Sequence, residues 1–95
     1  MVVYVVKSQA LHSTSSYFDV EAVYESLADA RVHIETSTLD FIHGAERGDY
    51  GKDFNYSSLE VTDLNGWGQR IEDTDTGYWS EWEIYEFEVT KTTPV

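Results

Sequence analysis

Apolar and polar residues follow different rhythms in successive stretches of this 95-residue chain. Residues 2–6 (Val2, Val3, Tyr4, Val5, Val6) form an unbroken apolar, β-branched run, the pattern of a strand at a sheet centre. The polar, serine-rich residues 9–16 read as a connecting loop. From Tyr17 the rhythm becomes two: Phe18, Val20, Ala22 and Tyr24 on one side, Asp19, Glu21 and Glu25 mostly on the other. That predicts a half-exposed strand, forming a β-hairpin with the first.

The period then lengthens. Ser26 followed by Asp29 is a capping-box-like entry, and Leu27, Ala30, Ile34, Thr38 and Phe41 fall on one helical stripe. A helix over about 27–43 follows, with Gly44 as its terminator. Residues 44–55 hold three glycines and several charges and read as a loop. Leu59 and Val61 carry a strand over 57–64, and Asn65-Gly66 is a strong hairpin signal. Trp67, Gln69 and Ile71 continue as the return strand, and residues 72–77 make a polar turn. Residues 78–89 read as a long strand. Its apolar parity switches from Tyr78, Trp82 and Ile84 to Tyr85, Phe87 and Val89, which predicts a bulge or strong twist near 84–85.

These elements add up to an α+β domain: an antiparallel four- to five-stranded sheet, one helix packed on a face, and the order ββαβββ. The expectation is a single domain over 1–95, with a core at about 2–89 and a tail at 90–95. One helix cannot cover five strands, so part of the sheet must meet water or a partner.

Composition narrows the partners. Hydrophobic residues are 41% of the chain and aromatics 15%, so it is expected to fold rather than behave as an acidic disordered tail. With no cysteine, disulfides, thiolate metal sites and cysteine nucleophiles are excluded. No stretch has the pattern of a signal peptide or the length of a membrane span, and a cytoplasmic protein is expected. Eighteen acids face six bases, a formal charge of −12. Such a surface repels nucleic acid and anionic lipid and attracts basic proteins. Residues 1–47 hold seven acids and three bases (net −4) and residues 48–95 eleven and three (net −8), so the excess concentrates in the second half.

Candidate chemistry is sparse. Glu81, Glu83, Glu86 and Glu88 interleave with Trp79, Trp82, Tyr85 and Phe87; carboxylates two apart on a strand share a face at ~6.5–7 Å. With Asp19 and Glu21 they make a candidate imitation of a phosphate array, against the plainer reading of a solvated face or an edge blunted by charge. Trp67, between two glycines, and Tyr50 are candidate aromatic anchors, or covers for the open end of a small core. Asp73-Thr74-Asp75-Thr76-Gly77 begins like a calcium loop, but the twelfth position is Ile84 where a glutamate is needed. Asp29 with His33 and Asp40 with His43 read as helix-surface pairs. No nucleophile–base–orienter set and no cofactor fingerprint is visible. No enzyme, metal or cofactor is therefore expected.

At Val3-Tyr4-Val5-Val6, at residues 23–30 and at Glu83-Ile84-Tyr85-Glu86-Phe87-Glu88-Val89 the chain resembles a group of short uncharacterised phage and bacterial domains. These segments cover under a third of the chain. The resemblance implies a phage or prophage-like origin, and with it the host-cell cytoplasm, and transfers no catalytic or binding residue. The leading expectation is a small acidic inhibitor of a basic nucleic-acid-handling host protein, of the anti-CRISPR or anti-restriction type, acting as a monomer or small homo-oligomer. The rivals are a small-molecule-binding or sequestering module with an aromatic-lined sheet–helix cleft, and a structural protein that oligomerises through its sheet edge.

Overall fold

The computed structural model describes residues 1–12 and 16–90; residues 13–15 of the expected loop and 91–95 of the expected tail lie outside them. The elements are β1 (Val2–Leu11), β2 (Ser16–Tyr24), α1 (Leu27–Glu46), a short 3-10 turn (Tyr56–Ser58), β3 (Leu59–Asp63), β4 (Gly68–Asp73) and β5 (Trp79–Glu88). They form one antiparallel five-stranded sheet in the order β2-β1-β5-β4-β3, with α1 on one face. The architecture is the α+β sheet-and-helix arrangement expected from the patterning.

Helix α1 begins where Ser26, in extended conformation, accepts a hydrogen bond from the Asp29 N–H at 3.3 Å. Its buried stripe of Ala30, Ile34, Thr38 and Phe41 lies over Val6, Ile71, Trp82 and Ile84. The helix does not stop at Gly44. It runs through Gly44, buried because the Tyr50 ring lies where a Cβ would stand, 2.8 Å away. The terminator is Gly48, with φ 79°; its N–H donates to the Ala45 carbonyl and that of Asp49 to the Gly44 carbonyl.

At this end an aromatic cluster closes the core. Phe41 stacks on Tyr50 with centroids 4.5 Å apart, and meets Phe54 and Trp82 edge-on. The Asn65-Gly66 turn is present: both residues have positive φ, and the Trp67 N–H donates to the Leu64 carbonyl. Gly68 opens β4 against the β5 backbone so closely that a Cβ there would lie 2.2 Å from the Trp82 carbonyl oxygen.

Three local expectations are corrected. Gln9, Ala10 and Leu11 belong to β1 and not to a loop, because they pair in register with Glu81, Ser80 and Trp79. No bulge breaks β5 near 84–85; the β1–β5 register is continuous from Val2–Glu88 to Leu11–Trp79. The parity switch arises because Trp82 and Ile84 pack under the helix while Tyr85 and Phe87 are apolar on the other face. The bulge lies instead in β2. Ala22 pairs with Val6 and Val20 with Lys7, leaving Glu21 without a β1 partner. Phe18 and Val20 are thereby turned to the face opposite Ala22 and Tyr24, which breaks the expected single row.

Candidate functional site

Side chains of cross-strand partners share a face. Val6, Ile84 and Ile71 mark the face under the helix, so the alternate residues mark the uncovered one. That face carries Phe18, Val20 and Val23 from β2, Val5, Lys7 and Gln9 from β1, and Trp79, Glu81, Glu83, Tyr85 and Phe87 from β5. Arg70 and Glu72 from β4 and Glu60 and Thr62 from β3 extend it, as does Val3 beside Phe87. Phe18, Val20, Val23 and Phe87 are exposed, Phe18 by 59%. Isolated exposed hydrophobes need no explanation, but several together on one sheet face make it a candidate interaction surface.

A polar network crosses the middle of this face. Glu81, only 8% exposed, accepts from Gln9 Nε2 at 3.0 Å and lies 3.8 Å from Arg70 Nη1. Burial and then the hydrogen bond and charge of Glu83 push its carboxyl above the ordinary value, partly opposed by Arg70 and Gln9. Glu81 and Glu83 thus face each other as a carboxyl pair. The Tyr85 hydroxyl bonds to Glu83, which with burial holds that phenol above its ordinary value. The Lys7 ammonium lies 4.3 Å from the Tyr85 centroid, 5.4 Å from Phe18 and 5.9 Å from Phe87. Arg70 stacks 4.4 Å over Trp79 and pairs with Glu72 at 3.3 Å. The result is an acidic row held between cation–π pairs, with an apolar field on the β2 side.

The other residues singled out in the sequence are distributed elsewhere. Glu86 and Glu88 have the opposite parity on β5 and face the helix side, beyond the helix. There the Tyr4 hydroxyl donates to Glu86 at 3.3 Å, and Trp67, still partly exposed, lies 6.5 Å from the Tyr4 ring. The four β5 glutamates therefore form two pairs on two faces rather than one row. Asp19 caps its own neighbour's N–H, that of Val20, at 2.9 Å. Glu21, turned by the bulge, accepts from His33 Nε2 at 2.9 Å. His33 is thus tied to β2, not to Asp29 as the helical spacing predicted. Tyr50 is a half-buried part of the aromatic core and does not join Trp67 at a common surface.

The Asp-Thr turn is structural. Asp73 is fully buried and accepts from the N–H groups of Asn55, Asp75 and Thr76 and from the Ser58 hydroxyl, at 2.7 to 3.1 Å. Burial pushes its carboxyl up, but these four bonds outweigh that and hold it below the ordinary value. Among the described residues no group of three His, Asp or Glu is placed to hold a metal ion, and no helix is long and apolar enough to cross a membrane.

Lys7, Gln9, Arg70 and Phe18 belong to the face but carry no sequence motif. The β5 parity (79, 81, 83, 85, 87) was a usable signal for its centre. The β2 contribution was not, because nothing local announces the bulge. Compared with protein-family models, curated proteins and solved structures, the chain matches none.

Proposed function

We propose that this protein acts by binding, through its uncovered sheet face, a basic and partly apolar surface of another protein. The single observation that carries this reading is that face itself: Glu81, Glu83, Glu72 and Glu60 beside exposed Phe18, Val20, Val23 and Phe87, opposite the helix. Trp, Tyr and Arg are the residue types that dominate binding energy at interfaces, and Trp79, Tyr85 and Arg70 are held there by stacking. Net charge of −12 adds long-range attraction for a cationic partner and discourages nucleic acid itself.

Basic protein surfaces with apolar borders occur where nucleic acid is gripped. The concrete form of the proposal is therefore an inhibitor that occupies the groove of a nucleic-acid-handling protein, the anti-restriction or anti-CRISPR type of activity. The recognition differs from a linear phosphate imitation. Only Glu81 and Glu83 of the β5 glutamates stand on the face, and the apolar field supplies the rest. The small-molecule rival is the weaker reading: the cleft between helix and sheet beside Arg31, Ile34, Gly66 and Gly68 holds only about 90 Å³ and has no aromatic lining. The larger aromatic-bordered hollows, about 380 Å³ beside Tyr24 and His33 and about 430 Å³ beside Tyr17, Phe18 and Trp79, are open surface grooves. Ligand pockets usually enclose most of the ligand's surface.

The test is affinity capture from host lysate at low and high salt. Wild type is compared with Phe18→Ser/Glu83→Lys on the uncovered face and with Glu35→Lys/Asp40→Lys on the helix. The expected result is a nucleic-acid-binding protein retained by wild type and the helix variant, lost by the face variant, and displaced by its own nucleic acid. Loss on reversing the helix charges with retention by the face variant would overturn the assignment.

A further inference from the structure

The bulge in β2 assembles a second constellation, separate from the uncovered face and independent of the binding proposal. Because Glu21 is turned to the helix side, it meets His33 on α1. His33 Nε2 lies 2.9 Å from Glu21 Oε1, and His33 Nδ1 lies 2.8 Å from the Tyr24 hydroxyl. An ionised carboxylate only accepts hydrogen bonds, so in the neutral imidazole Nε2 carries the proton and Nδ1 accepts from Tyr24. The order carboxylate, imidazole, hydroxyl is the arrangement that activates a hydroxyl nucleophile: a base within hydrogen-bond reach, itself oriented by a third group.

The site is accessible. Tyr24 and His33 line an open groove of about 380 Å³ together with Asp29, Val32, Thr36 and Ser37. Glu21 and His33 keep 28% and 21% of their side-chain surface exposed. Among the described residues, Tyr24 is the tyrosine whose hydroxyl is hydrogen-bonded to an imidazole; the Tyr4 hydroxyl bonds to Glu86, and Tyr17 meets His12 ring to ring at 6.2 Å. Burial leads the causes that hold Tyr4, Tyr17 and Tyr50 above the ordinary phenol value, and the Glu83 hydrogen bond leads for Tyr85.

We propose that Tyr24 is a nucleophile activated by His33 and oriented through Glu21, and that it accepts an acyl group from uncharged or cationic aryl esters and thioesters. In the step, Tyr24 Oη forms a bond to the acyl carbon and its proton passes to His33 Nδ1. The imidazolium is held by Glu21. The donor's C–O or C–S bond breaks, and the departing phenolate or thiolate takes the proton from His33. The product is an aryl ester on Tyr24. The donor must carry a leaving group no more basic than a phenolate, because an alkyl ester would release a poorer leaving group than Tyr24 itself. Asp29 in the groove and the overall negative charge exclude polyanionic donors. The role is that of a stoichiometric acceptor. His33 is the base and Glu21 a positioning residue.

The full-length protein is incubated with p-nitrophenyl acetate near neutral pH, and acetylation is followed by intact mass and peptide mass spectrometry, normalised to exposed Lys52. Exposure alone favours Tyr17 and Tyr56, which are 47% and 52% exposed. The expected result is Tyr24 acetylated about tenfold or more faster than either, with a rate that levels off well below the range, about pH 10, where an unassisted phenol ionises. His33→Ala lowers the Tyr24 rate about 100-fold, the size of a general-base contribution, and added imidazole restores it. Glu21→Gln, which keeps the side-chain shape, lowers it about tenfold. Tyr24 labelling no faster than Tyr17 or Tyr56 in the wild type overturns the proposal. So does a rate unchanged in Glu21→Gln, or a His33→Ala loss that imidazole does not rescue.

Discussion

Replacing Asp73 tests the reasoning about the β3–β4–β5 end most directly. Its Oδ2 accepts from the Asn55 N–H, and its Oδ1 accepts from the Ser58 hydroxyl and the N–H groups of Asp75 and Thr76. Asp73→Ala orphans all four donors. Asn55, Asp75 and Thr76 are exposed as residues and Ser58 is half-buried, so water can replace part of what the carboxylate gives them. All four bonds are partly buried, and an orphaned donor that water can partly reach costs toward the lower end of about 1–3 kcal/mol. The expected loss for Asp73→Ala is about 3–4 kcal/mol, a large share of the ~5–14 kcal/mol available to a domain of this length. Asp73→Asn keeps Oδ1 for three donors but sets its amide against the Asn55 N–H, so about half that loss is expected. Urea denaturation followed by tryptophan fluorescence reads this out. At a slope of about 1 kcal/mol/M, the Ala variant's midpoint falls by about 3 M. The pH dependence has a definite sign. The folded carboxyl is held below its unfolded value of about 3.9, so its stabilisation is present above that pH and is lost as pH falls through the lower folded value. An Asp73→Ala midpoint within about 1 M of wild type, at the same slope, would refute the four-bond account.

Other outcomes follow from neighbouring geometry. Glu81 has the opposite sign from Asp73: its folded carboxyl is raised, so its contribution is lost as pH rises from the unfolded value, about 4.3, through the folded one. Glu81→Gln should therefore flatten the decline in melting temperature above that pH, and an unchanged profile would remove the carboxyl-pair interpretation. Gly68→Ala places a Cβ 2.2 Å from the Trp82 carbonyl oxygen and should cost about 3 kcal/mol or more in chemical denaturation, at the upper end of overpacking effects; a cost below about 1 kcal/mol would mean that β4 can move away from β5.

The helix, the hairpin turn and the element order were legible because each has a local cause. Ser26 caps, the stripe from Ala30 to Phe41 is amphipathic, and Asn65-Gly66 tolerates positive φ. The end of the helix was misplaced at Gly44. Its glycine serves the close approach of Tyr50, a contact between residues six apart that no capping pattern contains. For the candidate site, the acidic and aromatic alternation of β5 was readable, but its division between two faces was not. Which parity lies under the helix depends on the sheet order and register. The bulge at Glu21 was equally silent in the sequence, yet it decides that Phe18 and Val20 join the uncovered face and that Glu21 reaches His33.

By itself, then, the chain determined an acidic α+β domain too thinly covered by its one helix to bury its whole sheet. Periodicity, capping and composition are local or additive properties, and they survive without coordinates. Tertiary structure alone decided where the charge acts. Pairing β5 between β1 and β4 puts Glu81 and Glu83 among Gln9, Arg70 and Tyr85 and sends Glu86 and Glu88 to the other side. One extra residue in β2 reverses the facing of everything before it, because strand side chains alternate with a period of two. The acidic surplus was visible in composition; its separation into an uncovered sheet face, a structural turn and a histidine-linked tyrosine was a consequence of register.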